Sequence, residues 1–319
     1  MNFLRRPIIL FLLNVLLFSL LGCFVVNRLF VQNDFKAQAT YFIAHIHTGG
    51  FYLFVLALLL MPVNWLLETL KWKILLNSKT SVSALLKSII AGITIGFVTP
   101  GRTGEFLGRV IFLDEENKTR AFYLSSLGGF AQTAASLMVG APFVYYWSYS
   151  QLLTGATTGL ATAYLLVYFR FDWLNRFLLS IPLLSRSGLT IGQEELPPPD
   201  RQIQALALSA VRFGVYLFQY VLLLDFFGVK NDYASLTVHS VVFLLAQTFS
   251  PLMPLLDVSF RSGSALFIFQ DVTSNNLSVL SAVTMVWLVN LVIPALAGYF
   301  FILKKTGSLN ILRRQIPLE

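Results

Sequence analysis

Long apolar runs separated by short polar segments make up most of this chain. Six runs approach the roughly 20 residues that cross a hydrocarbon core of about 30 Å, and they are residues 8–30, 51–70, 121–147, 152–169, 203–227 and 277–303. Spans of this kind are helical, because a backbone in lipid must satisfy its own hydrogen bonds. The pattern therefore predicts an all-α polytopic membrane bundle of about six spans.

Two further apolar stretches are interrupted near their middles. Residues 82–113 are broken at Pro100, and residues 233–270 are broken at Pro251 and Pro254. Both ends of the first stretch are flanked by basic residues, whereas the flanks of the second carry little basic charge. We expect each stretch to form a broken re-entrant helical hairpin, the two entering from opposite sides. Secondary transporters build their sites from such inverted pairs of discontinuous helices.

The distribution of basic residues predicts the orientation of the chain. With the spans above, 16 of the 23 Lys and Arg residues fall on the side expected to be cytoplasmic, three fall outside and four fall at membrane depth. Basic residues favour the cytoplasmic side of short loops, so we expect both termini there, in the cytoplasmic (inner) membrane. A polar linker, residues 170–202, is expected to join pseudo-halves 1–169 and 203–305 of one integral membrane domain, residues 1–319.

Composition narrows the function classes. Only 12% of the residues are charged and 56% are hydrophobic, against about 25% charged in soluble domains. The net charge of +8 fits anionic lipid headgroups at the span ends, so nucleic acid is not an expected partner. The lone Cys23 and the pair His45 and His47 are poor metal ligands, and nucleotide, nucleophile-elbow and metalloprotease motifs are missing. No cofactor, metal or catalytic residue is predicted, and an enzyme is not the first expectation.

The first break combines helix-breaking, polar and charged residues at membrane depth: Thr99, Pro100, Gly101, Arg102, Thr103, Gly104, Glu105 and Arg109. Pro100 disfavours helical backbone before it, and the helix that restarts after it would point its amide groups at the break. Those amides, with Arg102, favour an anion such as phosphate. Glu105 and Arg109 are spaced to pair on one helix face. The structural alternative is a kink held by that ion pair.

The second break and one residue of a span add four candidate substrate-binding residues: Arg212, Asp257, Arg261 and Ser264. Asp257 is placed to cap the restarting helix and to pair with Arg261. Arg212 lies inside the predicted span 203–227, where ionisable residues are costly and often functional. The alternatives are a structural Asp257–Arg261 pair and an interhelical partnership of Arg212 with a carboxylate such as Glu68.

Together these residues resemble a known family. The first-break sequence, preceded by Asn64-Trp65, Lys71-Trp72 and Leu75-Leu76, is similar to the core of the lysylphosphatidylglycerol synthase transmembrane-region family, also called flippase-like membrane proteins. The stretch 251–264 resembles that family's second proline-glycine motif, and the resemblance covers about residues 8–305. It implies movement of an anionic or lipid-linked headgroup across the bilayer.

Two departures limit what the resemblance implies. Members that make aminoacylated lipids carry a soluble transferase domain after the membrane part, whereas this sequence ends at Glu319, so synthase activity is not expected. Many members have a glycine-rich second motif with a glutamate, whereas Asp257 and Arg261 stand in that region here. The resemblance therefore does not carry over the identity of the substrate.

Three functions follow as hypotheses. The first is a lipid flippase or transporter whose two breaks form a polar cavity for a phosphate-bearing membrane lipid, with Glu105 or Asp257 available to take a proton. The second is a membrane-embedded transferase that uses a lipid-linked donor, with Asp34 as its outer-loop carboxylate. The third is a non-transporting scaffold of a cell-envelope complex. A homo-oligomer and a cell-envelope partner both remain open.

Overall fold

The computed structural model describes residues 35–48, 50–99, 102–110, 118–173, 196–229, 231–250 and 257–315, together with Leu16, Ser19 and Cys23. These residues form an all-α bundle. Its helices, in chain order, are α1 (Phe35–Thr48), α2 (Phe51–Leu76), α3 (Val82–Phe97), α4 (Gly104–Val110), α5 (Lys118–Ser148), α6 (Gln151–Phe169), α7 (Pro199–Phe226), α8 (Tyr233–Thr248), α9 (Asp257–Ile268), α10 (Asn276–Trp287), a π-helical segment (Leu288–Val292) and α11 (Ile293–Gln315).

Five helical stretches of the described chain are long and apolar enough to span a membrane: Phe51–Leu76, Arg120–Ser148, Gln151–Phe169, Pro199–Phe226 and Asn276–Lys304. They correspond to five of the six predicted spans. The predicted span 8–30 lies outside the described residues, except for the helical positions Leu16, Ser19 and Cys23. The all-α polytopic prediction is confirmed, and the sixth span stays a prediction.

The outer surfaces of the long helices are apolar. On α6, for example, Leu152 is 85% exposed and Leu166 is 64% exposed. Large exposed apolar surfaces are costly in water and normally meet another apolar phase. This surface therefore agrees with a multi-pass membrane protein, and the predicted orientation of the termini stays a prediction.

Both interrupted stretches form pairs of short helices. The first gives α3 and α4, and the second gives α8 and α9. Ser81 caps α3 by accepting a hydrogen bond from the Ala84 amide, as is usual for a serine at a helix start. The break residues Pro100 and Gly101, and residues 251–256 of the second break, lie outside the described residues. The re-entrant arrangement, in which one pair enters from each membrane face, stays a prediction.

Glycines bring α3 and α4 into close contact. A Cβ at Gly108 would lie 2.6 Å from the Cα of Gly92, and a Cβ at Gly92 would lie 2.8 Å from the carbonyl oxygen of Glu105. Only glycine permits such an approach of two backbones. The contact fixes Glu105 and Arg109 against α3.

Two clusters of buried apolar side chains flank the centre of the bundle. One includes Tyr220, Phe243, Phe269 and Val286, from α7, α8, the end of α9 and α10. The other includes Trp72, Ile89, Leu124 and Tyr168, from α2, α3, α5 and α6. Tyr220 of the first cluster and Leu291, which packs against the second, also line a cavity at the centre of the bundle.

Candidate functional site

A cavity of about 370 Å³ connects the two breaks. Its volume lies in the range of small-ligand pockets. The first break contributes Arg102, Glu105 and Arg109 to its wall, and the second contributes Ser250 and Asp257 with Arg261 from the helix that follows. The remaining wall comes from α2, α5, α7, α8, α10 and the π-helical segment. Residues more than 150 positions apart in the sequence therefore face one space.

Glu68 of α2 lies at the centre of an ion cluster on this wall. Its Oε2 contacts Lys71 Nζ at 2.7 Å and Arg212 Nη1 at 2.8 Å, and its Oε1 contacts Arg109 Nη2 at 2.8 Å. The Glu68 side chain is only 4% exposed. One buried carboxylate therefore joins cations from α2, α4 and α7. Removing its negative charge would leave three buried cations poorly compensated.

The cluster extends through Glu105 to the surface of the cavity. Arg109 Nη2 also donates to Glu105 Oε1, and Glu105 Oε2 contacts Arg102 Nη2 at 2.9 Å. The Arg102 side chain is 43% exposed, whereas that of Arg109 is 6% exposed. Arg102 is therefore the most accessible cation of this group, and the predicted Glu105–Arg109 pair is present.

The side chain of Thr99 stabilises the backbone of the first break. Thr99 Oγ1 accepts from the Gly104 amide at 2.8 Å and donates to the carbonyl oxygens of Ile95 and Gly96. The Gly104 amide, expected to face an anion, is therefore already occupied within the protein. Because α4 has only seven residues, the side chain of Arg102 is a better candidate for binding an anion here than the helix end.

Arg102 itself has a left-handed backbone, with φ of 58°. This conformation is unfavourable for residues other than glycine. It directs the chain from the break into α4 and leaves the guanidinium on the cavity wall. Thr103 follows at an exposed position and is not part of that wall.

The second break forms a smaller ion pair. Arg261 Nη2 contacts Asp257 Oδ2 at 2.8 Å, and Arg261 Nη1 donates to the Tyr220 hydroxyl at 2.9 Å. Ser250 donates to Asp257 Oδ1, so it holds the carboxylate across the break. The predicted Asp257–Arg261 pair is present. Ser264 accepts from Gln247 Nε2 at 2.8 Å and is not one of the residues that line the cavity.

Neutral amides link the ion cluster to the rest of the bundle. Arg212 Nε donates to Asn64 Oδ1 at 2.8 Å, and Arg212 Nη1 also donates to Gln132 Oε1 at 3.2 Å. Asn64 in turn contacts Asn290, whose Nδ2 donates to Gln219 Oε1 at 3.1 Å. Asn290 lies in the π-helical segment, a feature that often marks functional sites. Gln132 and Asn290 therefore join helices, as expected of polar residues in spans, and also line the cavity.

Several buried polar atoms on the cavity residues have no hydrogen-bond partner within the described chain. They are Arg109 Nε, Ser125 Oγ, Gln247 Oε1, Arg261 Nε and Trp287 Nε1. Buried polar groups are normally satisfied, but these five atoms are themselves shielded from the cavity by their neighbours. Among the described residues, no group of three or more His, Cys, Asp or Glu is placed to hold a metal ion.

The sequence predictions divide into residues that meet at the cavity and residues that do not. Arg102, Glu105, Arg109, Arg212, Asp257 and Arg261 line the cavity. Thr99 and Gly104 shape the break, and Thr103 and Ser264 are not on the wall. Pro100 and Gly101 lie outside the described residues. The substrate-binding role of all these residues stays a prediction.

The predicted span 51–70 ends before its helix does. Lys71 follows that run in the sequence, but α2 continues to Leu76 and Lys71 is only 2% exposed. Its Nζ donates to the carbonyl oxygen of Gly128 at 3.2 Å as well as contacting Glu68. The helical spacing of Asn64, Glu68 and Lys71 on one face was the signal that could have placed it in the cluster.

Comparison with known protein families identifies the chain's membrane region. The family model described as the lysylphosphatidylglycerol synthase TM region matches residues 11–256. The match contains the first break, Glu68 and Arg212, and it ends immediately before Asp257. No curated protein and no solved structure matches the chain.

Proposed function

Since the chain belongs to the lysylphosphatidylglycerol synthase transmembrane-region family, we propose that it moves an anionic or lipid-linked headgroup across the membrane through the cavity between its two breaks. The family is a membrane domain of the flippase-like, lipid-related group. The resemblance and the match concern the membrane part, so the proposal is transport rather than lipid synthesis.

The observation that supports the proposal is that residues of both breaks line the same cavity. Cations from both breaks, Arg102 and Arg109 on one side and Arg261 on the other, line the same cavity as Arg212. Arginine binds phosphate with two donors at once. A headgroup phosphate in this cavity would therefore lie among guanidinium groups while its acyl chains remain in lipid.

The two carboxylates of the breaks give the site a means of changing its charge. Glu105 lies between Arg102 and Arg109, and Asp257 lies against Arg261. Protonation of either carboxylate would free its arginine to bind the headgroup. Deprotonation would restore the ion pair and favour release of the headgroup. Proton coupling of this kind belongs to the proposal.

Transport by the purified protein in vesicles tests the proposal. The vesicles contain phosphatidylcholine with a trace of fluorescent phosphatidylglycerol or phosphatidic acid, and a membrane-impermeant reductant bleaches the outer leaflet. We expect wild-type protein to make the inner-leaflet label accessible, with or without an applied pH gradient. Arg102→Ala and Arg261→Ala should both slow this step, because each removes a cation from one side of the cavity.

A matched control separates the cavity from general charge effects. Arg120 is an exposed arginine that does not line the cavity, so Arg120→Ala should transport like wild type. Equal slowing in all three variants would argue against a specific site. Absence of movement of either anionic lipid by wild-type protein, under both gradient conditions, would contradict transport and leave a scaffold role.

A further inference from the structure

The ionisable side chains on the cavity wall do not balance. Among the described residues, the wall carries five cationic side chains, Lys71, Arg102, Arg109, Arg212 and Arg261. It carries three carboxylates, those of Glu68, Glu105 and Asp257. With all eight groups ionised, the wall has five positive and three negative charges, a net charge of +2.

The imbalance belongs to one end of the cavity. Asp257 and Arg261 pair with each other at 2.8 Å, so the end at the second break is neutral. The other end has four cations, those of Lys71, Arg102, Arg109 and Arg212, for the carboxylates of Glu68 and Glu105 alone. The excess of two positive charges therefore lies around the first break.

The other hydrogen bonds of these cations are to neutral oxygens. Lys71 donates to the Gly128 carbonyl, and Arg212 donates to the amide oxygens of Asn64 and Gln132. Such oxygens satisfy hydrogen bonds but do not cancel charge. Charged groups in a membrane interior are costly unless an opposite charge accompanies them, so the first-break end favours an anionic ligand.

We propose that the ligand of this cavity carries a phosphate group with two negative charges, a monoester or a diphosphate, rather than a singly charged phosphodiester or a zwitterion. A phosphate monoester carries about 1.5 to 2 negative charges at pH 7 and would offset the excess at the first break. This inference rests on the proposed function and specifies its substrate class. The same phosphate chemistry occurs in a lipid and in a soluble phosphate ester, and the experiment below separates them.

The test compares lipids that differ only in phosphate charge. Full-length protein in neutral detergent is titrated at pH 7 with phosphatidic acid or with phosphatidylglycerol of identical acyl chains, and the bound fraction is measured by native mass spectrometry. We expect phosphatidic acid to bind at least about tenfold more tightly to wild type. Equal affinities, or a preference for phosphatidylglycerol, would overturn the inference.

Two variants change the charge of the wall in opposite directions. Arg102→Gln lowers the excess to one positive charge and should reduce the preference for phosphatidic acid severalfold. Glu105→Gln raises the excess to three and should preserve or increase it. Arg120→Gln, off the wall, should leave the preference unchanged. If both variants changed the preference for phosphatidic acid in the same direction, the charge argument would be contradicted. If a variant does not fold, the comparison of the two lipids on wild-type protein tests the inference by itself.

Soluble probes separate the ligand sources. Glycerol 3-phosphate and inorganic phosphate are added to protein in neutral detergent, and the shift in thermal unfolding is measured. Tighter binding of phosphatidic acid than of these probes supports a lipid phosphate. If the soluble phosphates bind as tightly as phosphatidic acid, the charge inference stands and the lipid-transport proposal fails. If phosphatidylglycerol is transported and both lipids bind equally, transport stands and the charge inference fails.

Discussion

The two oxygens of the Glu68 carboxylate bind arginines from distant parts of the chain, Arg109 at Oε1 and Arg212 at Oε2, each at 2.8 Å. Arg109 belongs to the short helix after the first break, and Arg212 belongs to the long helix α7. Glu68 therefore couples the first break to the helix that carries Tyr220, the partner of Arg261 at the second break.

Removal of the Glu68 charge should destabilise the protein. Glu68→Gln would leave Lys71, Arg109 and Arg212 with Glu105 as the remaining carboxylate of their cluster. Loss of one partner from a buried ion pair typically costs about 3–5 kcal/mol. We expect a clear decrease in the thermal unfolding temperature of the purified protein in detergent.

Asp271 supplies the matched control for this substitution. It is an exposed carboxylate away from the cavity, so Asp271→Asn should leave the unfolding temperature nearly unchanged. Equal stability of Glu68→Gln and wild type would show that the cluster does not hold α2, α4 and α7 together.

The close approach of α3 and α4 predicts that one glycine tolerates no side chain. Gly108→Ala would place a Cβ 2.6 Å from the Cα of Gly92 and 2.8 Å from the carbonyl oxygen of Ala91. Because both contacts are to backbone, the helices would have to separate. We expect reduced stability in detergent and weaker lipid binding, since Glu105 and Arg109 move with α4.

Gly155→Ala is the control for that variant. A Cβ at Gly155 would meet nothing within 4 Å, and replacing glycine by alanine within a helix ordinarily stabilises it by about 0.5–1 kcal/mol. If Gly108→Ala were as stable as Gly155→Ala, the close contact described between α3 and α4 would be contradicted.

The left-handed backbone of Arg102 predicts different stabilities for two substitutions that remove the same charge. Glycine adopts a φ of 58° without the cost that a Cβ imposes there, about 1–2 kcal/mol. Arg102→Gly should therefore be more stable than Arg102→Ala, whereas both should lose lipid phosphate binding. Thermal unfolding and lipid binding of the two variants check this, and a less stable glycine variant would contradict the backbone assignment.

The hydrophobic pattern was sufficient for the long helices. Five of the six predicted spans agree with long apolar helices, because a helix that crosses lipid needs a continuous apolar run and its ends carry polar residues. The i, i+4 spacing likewise predicted the Glu105–Arg109 and Asp257–Arg261 pairs. Local sequence determines these features.

Contacts between distant helices could not be obtained in the same way. Arg212 was expected to meet either a substrate or a carboxylate such as Glu68, and only the packing of α7 against α2 shows that it contacts Glu68 and also lines the cavity. Lys71 follows the apolar run 51–70, where a lysine is ordinarily a flanking charge, and the hydrophobic pattern gives no sign of its burial. Its Nζ donates to the Gly128 carbonyl of α5, a contact between helices distant in the sequence.

The re-entrant arrangement predicts which positions share a membrane side. In a Cys23→Ser background, Lys79→Cys and Arg120→Cys flank the first broken stretch, and Ala234→Cys and Asp271→Cys flank or border the second. All four positions are exposed. A membrane-impermeant maleimide should label the second pair from outside intact cells and the first pair only after the membrane is opened.

Labelling of the two members of a pair from opposite sides would show that the corresponding stretch crosses the membrane completely. That result would also reverse the predicted orientation of every span after it. A full-length protein with no substituted cysteine, the Cys23→Ser variant alone, gives the background signal.

The most direct measurement of the central claim, that the cavity holds a lipid phosphate, is the identity of the lipids that copurify with the protein. Wild type, Arg102→Ala and the off-wall control Arg120→Ala are purified in mild detergent, and their bound lipids are identified by mass spectrometry. We predict that an anionic or glycosylated phosphate lipid is enriched in wild type and in Arg120→Ala and is lost from Arg102→Ala. Bulk membrane lipid alone, in the same proportions in all three proteins, would contradict the claim and leave Arg102 as a structural residue.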